Sequence, residues 1–232
     1  MKKKQTITAI TIMLAVIIID QLIKIYIKTH FVLHESYKVA SWFYLSFIEN
    51  NGMAYGMEIG SKLVLTLFRI VAVAAFGWYL FRRISRSEAA WSFVVTMSLV
   101  VSGAIGNIID CVFYGRWFTS SVGRVAQWAD EALGLMPMGE WFQGRVVDMF
   151  YFPLIRFDWP EWMPAMGDAV TMLGMTFRWP EWMPCSDEPF MFFKPVFNFA
   201  DAAISVGVAM LLVLYVISSR QTTKNAVSDA QD

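Results

Sequence analysis

The chain has 232 residues, 57% of them hydrophobic and only 16% charged, with a mean hydropathy of +0.49. Soluble domains carry about 25% charged residues, so this composition points to a membrane protein. The 19 basic and 19 acidic residues cancel, which argues against a nucleic-acid partner.

A membrane-spanning helix needs roughly 20 mostly apolar residues, and four segments meet that length: about Thr6–Ile27, Leu63–Phe81, Ala89–Ile109 and Phe197–Ser218. The first follows Lys2-Lys3-Lys4 and has no small-residue cleavage site after it, so it reads as an uncleaved span rather than a secretory signal. Its apolar run gives way at Asp20-Gln21-Leu22-Ile23-Lys24. The next segment, Lys28–Lys62, contains the aromatic and β-branched run Trp42–Ile48 followed by Asn50-Asn51-Gly52, a strong turn signal. A small antiparallel β element is expected there. The second and third spans are joined by Arg82-Arg83-Ile84-Ser85-Arg86. Cytoplasmic flanks collect Lys and Arg, and with both termini inside, Lys2–Lys4, this basic joint, and Arg220 with Lys224 all fall on the cytoplasmic side.

That orientation places three polar clusters on the opposite face: Asp20 to Lys24, Asn107 to Asp110, and Asn198 to Asp201. Charged and amide side chains at membrane depth are costly and mark function by default. The second outer segment, Cys111–Val196, holds seven of the 10 tryptophans: Trp117, Trp128, Trp141, Trp159, Trp162, Trp179 and Trp182. It also repeats Trp-Pro-Glu-Trp-Met-Pro, at 159–164 and 179–184. Trp suits the membrane interface, so the repeat reads as a surface loop on the headgroups or as a lip that guides a partner. The whole chain reads as a single integral membrane domain, all-α but for the small β element.

His30 and His34 are the only histidines, and no Ser-x-x-Lys or His-Glu-x-x-His occurs. Cys111 and Cys185 either pair or remain thiols. Gly103-Ala104-Ile105-Gly106 lies within a span, where small residues let helices approach closely. Carboxylates are left to carry chemistry. Asp148 follows the apolar pair Val146-Val147, and Asp201 opens the fourth helix. If they meet, they share one proton, because two close carboxyls cannot both ionise. Such a pair activates water as an aspartic protease does. The same carboxylates are compatible with a proton relay in a small transporter, or with structural pairing in a non-enzymatic membrane scaffold.

Five blocks resemble, in order, those of the lipoprotein signal peptidases (signal peptidase II): Asp20-Gln21-Leu22-Ile23-Lys24, Asn50-Asn51-Gly52-Met53-Ala54-Tyr55, Gly103 to Asp110, Gly144-Arg145-Val146-Val147-Asp148-Met149-Phe150, and Phe197-Asn198-Phe199-Ala200-Asp201. The resemblance implies a bacterial membrane aspartic endopeptidase that removes signal peptides from prolipoproteins. Cleavage falls on the N-terminal side of a diacylglyceryl-modified cysteine. It implies Asp148 and Asp201 as the catalytic pair, with Asp20, Lys24, Asn50, Gly52, Asn107, Asp110, Arg145 and Asn198 binding substrate or supporting the site. It further implies no metal or organic cofactor, contact with membrane lipids, inhibition by globomycin-type cyclic peptides, and a monomer. The expected location is the bacterial inner membrane, multi-pass, with both termini cytoplasmic and the active site near the outer face. Two departures stand out. Cys111 occupies a position where many members have Arg, leaving Arg116 or Arg145 as candidates to replace it. Segments of about 116–143 and 151–194 are longer than usual.

Overall fold

The structure is a computed structural model that describes residues 1–50, 62–160, 162–172, 175–179, 186 and 190–228. Four of its helices are long and apolar enough to cross a membrane. Helix α1 (Lys2–His30) buries Gln5, Ala9, Val16, Asp20, Lys24, Ile27 and Lys28, a stripe with the three- and four-residue steps of one helix face. Ile7, Leu14, Ile18 and Leu22 point outward on its other faces. Such an outer surface suits contact with hydrocarbon rather than water. The helix runs through Asp20 to His30 without interruption, because Asp20 and Lys24 fall on the buried stripe and not on the lipid face.

Helix α2 (Lys62–Ser85) is mostly exposed apolar surface. Helix α3 (Trp91–Ile109) is the central one, packed against α1, α2 and the last long helix. Thr96, Ser98 and Ser102 each donate their hydroxyl to the carbonyl four residues back, at 2.6–2.7 Å. The polar groups of this buried face are thereby satisfied inside the helix. A π-helical turn (Asp110–Tyr114) and the short α4 (Gly115–Trp117) extend α3. Helix α5 (Phe199–Ser228) lies along α3. A Cβ on Gly103 would collide with the Ala200 carbonyl oxygen, and one on Gly106 would lie 2.6 Å from Asp20 Oδ2. The small residues of 103–106 therefore serve helix packing, as their composition suggests.

The all-α expectation needs correction. Strands β1 (Ser36–Ala40) and β2 (Phe43–Asn50) form the expected antiparallel pair; the Asn51-Gly52 turn and Gly52 itself lie outside the described residues. Six further strands were not expected: β3 (Val146–Tyr151), β4 (Ile155–Phe157), β5 (Ala169–Met172), β6 (Met175–Arg178), β7 (Phe190–Phe192) and β8 (Val196–Phe197). Four make a sheet in the order β1-β2-β3-β8, while β4 pairs with β7 and β5 with β6. The second loop thus carries short strands, two pairs of them (β4 with β7, β5 with β6) formed within the loop, while β3 joins β2 of the first outer segment.

Contacts divide the chain into two compact units. The first comprises residues 1–35, 47–149 and 197–232, and holds the long helices with the inner parts of β2 and β3. The second comprises 36–46 and 150–196. It carries stacked aromatic rings: Phe43 of β2 on Phe152, just past β3, with centroids 4.8 Å apart, and Phe157 of β4 on Phe190 of β7 at 4.7 Å.

Candidate active site

The first amides of an α-helix lack partners within the helix. At the start of α5, Asn198 supplies a capping box: its Oδ1 accepts the Asp201 N–H at 2.9 Å, and Asp201 Oδ2 accepts the Asn198 N–H at 3.4 Å. The Ala200 N–H is taken by Asp20 Oδ1 of α1 at 2.9 Å. The Asn198 side-chain amide then donates to Asp148 Oδ1 at 2.7 Å and to Asn107 Oδ1 at 3.1 Å. Asn107 in turn donates to Asp201 Oδ1 at 2.7 Å. One buried asparagine therefore ties the Asp148 carboxylate to the helix start that carries Asp201.

Asp148 sits on β3, in a run where Val146, Val147 and Met149 are all buried, and is itself only 3% exposed. Asn50, at the end of β2, donates to its Oδ2 at 3.4 Å. Burial, followed by repulsion from the Asp201 carboxylate, pushes the Asp148 carboxyl up to about 7, outweighing the donors Asn198 and Asn50.

Asn107 also joins this network to a buried charge cluster. Lys24 has three N–H donors, and they go to Asp20 Oδ2 at 2.9 Å, Asp110 Oδ2 at 2.8 Å and Asn107 Oδ1 at 2.9 Å. Asp110 Oδ2 also accepts the Val147 N–H at 3.2 Å. Asp20 thus grips the backbone beside Asp201, Asp110 grips the backbone beside Asp148, and Lys24 holds both aspartates. Gln21 donates to Asp110 Oδ1 at 3.0 Å and accepts from the Tyr114 hydroxyl at 3.1 Å.

Of the residues the sequence singles out, Asp20, Lys24, Asn50, Asn107, Asp110, Asp148, Asn198 and Asp201 all belong to this one hydrogen-bonded network. Arg145 does not reach either proposed catalytic carboxylate in it; its side chain is 45% exposed and pairs with Glu49 at 3.5 Å. Arg116 pairs with Glu131 at 2.7 Å. The guanidinium that reaches residue 111 comes instead from Arg69 of α2, whose Nη1 lies 3.9 Å from Cys111 Sγ. Cys111 is a free thiol, 1% exposed.

Sequence reasoning also missed a second buried pair, Lys28 with Glu49. Ser121 joins it, accepting from Lys28 Nζ at 3.1 Å and donating to Glu49 at 2.9 Å. Glu49 immediately precedes Asn50, so this pair secures the end of β2 that faces Asp148. A lysine four residues beyond Lys24 and a glutamate beside Asn50 were the available signals.

Residues 12–217 match the family model described as signal peptidase (SPase) II. The chain belongs to the signal peptidase II family. It is 45% identical over 203 residues to a lipoprotein signal peptidase of Porphyromonas gingivalis, covering 86% of this chain and 78% of that one. It is 30% identical over 209 residues to a lipoprotein signal peptidase of Amoebophilus asiaticus, covering 87% and 75%. In fold it is similar to a bacterial membrane enzyme solved by the in meso method, with a TM-score of 0.56 at 20% identity over 91% of this chain and 89% of that one. Signal peptidase II is an aspartic-type protease of lipoprotein processing, and membership selects the protease among the three readings that the carboxylates leave open.

Proposed function

We propose that Asp148 and Asp201 are the catalytic dyad of this signal peptidase II and that it cleaves diacylglyceryl-modified prolipoproteins on the N-terminal side of the lipidated cysteine. The observation that carries this reading is the shared amide of Asn198, bonded to Asp148 by its side chain and to Asp201 through the capping box. The dyad works with one proton. Its ionised carboxylate takes a proton from water as the water oxygen attacks the scissile carbonyl carbon. Its protonated carboxyl donates to the carbonyl oxygen. The tetrahedral gem-diol collapses as one dyad carboxyl gives its proton to the departing amine nitrogen, the other carboxylate takes a proton from a gem-diol hydroxyl, and the C–N bond breaks. The new carboxyl and amine leave, and the dyad again holds one proton. The pair titrates as a unit, so neither role is tied to one residue.

In this reading the protein is a multi-pass inner-membrane enzyme with both termini in the cytoplasm and the dyad near the outer face. A lipid-modified substrate then keeps its acyl chains in the bilayer while the peptide bond meets water. The site-supporting residues are Asp20, Lys24, Asn50, Asn107, Asp110 and Asn198.

The test is cleavage of a purified diacylglyceryl-modified prolipoprotein, read as the mass shift of signal-peptide loss. Asp148→Asn and Asp201→Asn are each expected to reduce kcat at least 10³-fold, on the order of the loss seen when a catalytic residue that acts as part of a unit is removed. Undiminished turnover by either variant removes that residue from the dyad.

A further inference from the structure

Arg69 lies within the span of α2, seven residues beyond its first residue, Lys62. An arginine at such depth is costly and marks function by default. A cavity of about 290 Å³ opens beside it, between α2, α3 and α5. Its polar lining is Arg69, Asn107 and Asp201, and deeper along the helices come Phe76, Val100 and Ile204. The order is the same on each helix. Asn107 and Asp201 are the lining residues nearest the outer ends of α3 and α5, and Arg69 lies within one residue of that position on α2. Phe76 lies seven residues further along α2, about 10 Å deeper at 1.5 Å per residue. The cavity therefore has a polar mouth at the level of the dyad and an apolar floor.

We propose that Arg69 is a substrate-binding residue that donates to an ester carbonyl of the substrate's lipid anchor while one acyl chain fills the cavity below. The inference rests on the reading of Asp201 as half of the dyad. A peptide segment does not suit the floor, which is walled by apolar side chains and offers no partners for backbone amides. An acyl chain suits it, and its ester carbonyl is an acceptor at the height where the guanidinium offers donors. Charge decides between a neutral ester and a phosphate. The mouth also carries the Asp201 carboxylate, which repels an anionic headgroup but tolerates a neutral carbonyl. The contact with Cys111 Sγ at 3.9 Å holds the guanidinium toward the end of α3, on the side of the site.

The experiment compares a diacylglyceryl prolipoprotein with its dialkyl-ether analogue, which lacks both ester carbonyls. Wild-type enzyme, Arg69→Gln and Arg69→Lys are assayed in micelles, with thermal unfolding as the check on folding. Arg69→Gln is expected to raise KM for the ester substrate roughly ten- to a hundredfold, the scale of losing a hydrogen bond to a charged group. Its kcat stays within about threefold, because the contact is made equally in ground and transition states. For the ether substrate, Arg69→Gln changes KM by less than about twofold, since the bond it removes is absent there. Arg69→Lys keeps the preference for ester over ether and is read alone if Arg69→Gln unfolds. An equal rise in KM for both substrates, an unchanged KM for the ester, or a Lys variant without ester preference overturns the proposal. So does competitive inhibition by added phosphatidylglycerol that Arg69→Gln abolishes, which would assign the guanidinium to phosphate. Wild-type enzyme that cleaves neither substrate fails the dyad reading itself, whereas wild-type cleavage with an indifferent Arg69 fails only this inference.

Discussion

Lys24 ties together the two aspartates that hold the backbone on either side of the proposed dyad. It neutralises both of them, and both are fully buried. Removing one partner of a buried ion pair leaves an uncompensated charge and costs about 3–5 kcal/mol. Lys24→Met should lower the unfolding temperature sharply, and adding Asp20→Asn and Asp110→Asn should recover part of the loss; full stability in the single variant would show the cluster to be dispensable. Asp148 has a pH signature. Its folded value of about 7 lies above the ordinary 3.8. Protonation therefore favours the folded state, and this stabilisation is complete below about pH 4 and lost as pH rises through 7. Activity of a one-proton dyad should likewise fall as pH rises through about 7, where the last proton leaves. A kcat/KM profile flat from about 6 to about 8.5 would contradict this. These residues were legible in the sequence because a carboxylate or amide stands out in an apolar segment. Arg69 was not, since one charge among Phe, Leu, Val and Ala barely alters the hydropathy of a span, and Lys28 read as a flank because it follows the expected helix end at 27.

At the scale of elements, the site forms where α1, α3 and the start of α5 come close enough for side chains on one to bond backbone on another. Gly106 sets that distance: a Cβ there meets Asp20 Oδ2 at 2.6 Å and Ala200 Cβ at 3.2 Å. Neither neighbour has room to retreat, because Asp20 is held by Lys24 and by the Ala200 N–H. Gly106→Ala is therefore expected to cost about 1–3 kcal/mol from overpacking. It should also lower kcat on the order of 10²-fold, the effect of a displacement near 1 Å at the reacting groups. Thermal unfolding and steady-state kinetics on the same preparation check both, and a variant with wild-type kcat would show that the α1–α5 spacing does not govern the dyad. The long helices were legible from apolar length, and the start of α5 moved from the expected 197 to 199 because Asn198 serves as its cap. The strands of the second loop were not. β4, β7 and β8 have two or three residues each, too few for alternation to register, and the pairing of β3 is decided by a partner far away in sequence. A six-residue run such as Val146–Tyr151, apolar but for Asp148, reads equally as strand or buried helix until that partner is known.

At the scale of the whole molecule, the outward faces of the long helices and the distribution of charge bear on how the protein sits in a bilayer. Ile10, Leu14, Val64, Phe68, Leu212 and Val213 are exposed apolar residues on three different helices. At the far end of α2, the Arg82 guanidinium lies 4.7 Å from the Trp78 ring and Arg83 lies 6.0 Å from that of Tyr79. Aromatic rings beside basic groups belong at the headgroup level. Lys2–Lys4, Arg82, Arg83, Arg86, Arg220 and Lys224 then share one side. The basic residues of the 86 positions between 111 and 196 carry little weight, since orientation follows short segments and not those beyond about 60 residues. Of the basic residues in the shorter outer segment, Lys28 is neutralised by Glu49. This balance favours cytoplasmic termini and an outward dyad. Single-cysteine labelling tests it in spheroplasts with a membrane-impermeant maleimide, using Cys185→Ser as background and keeping the buried Cys111. Val122→Cys, at a position 66% exposed, should label in intact spheroplasts. Ser85→Cys, at the exposed end of α2, should label only after permeabilisation. The reverse pattern would place the dyad on the cytoplasmic face. There it would meet prolipoproteins before their lipidated end crosses the membrane, and the outward orientation would fail while the chemistry of the pair stood.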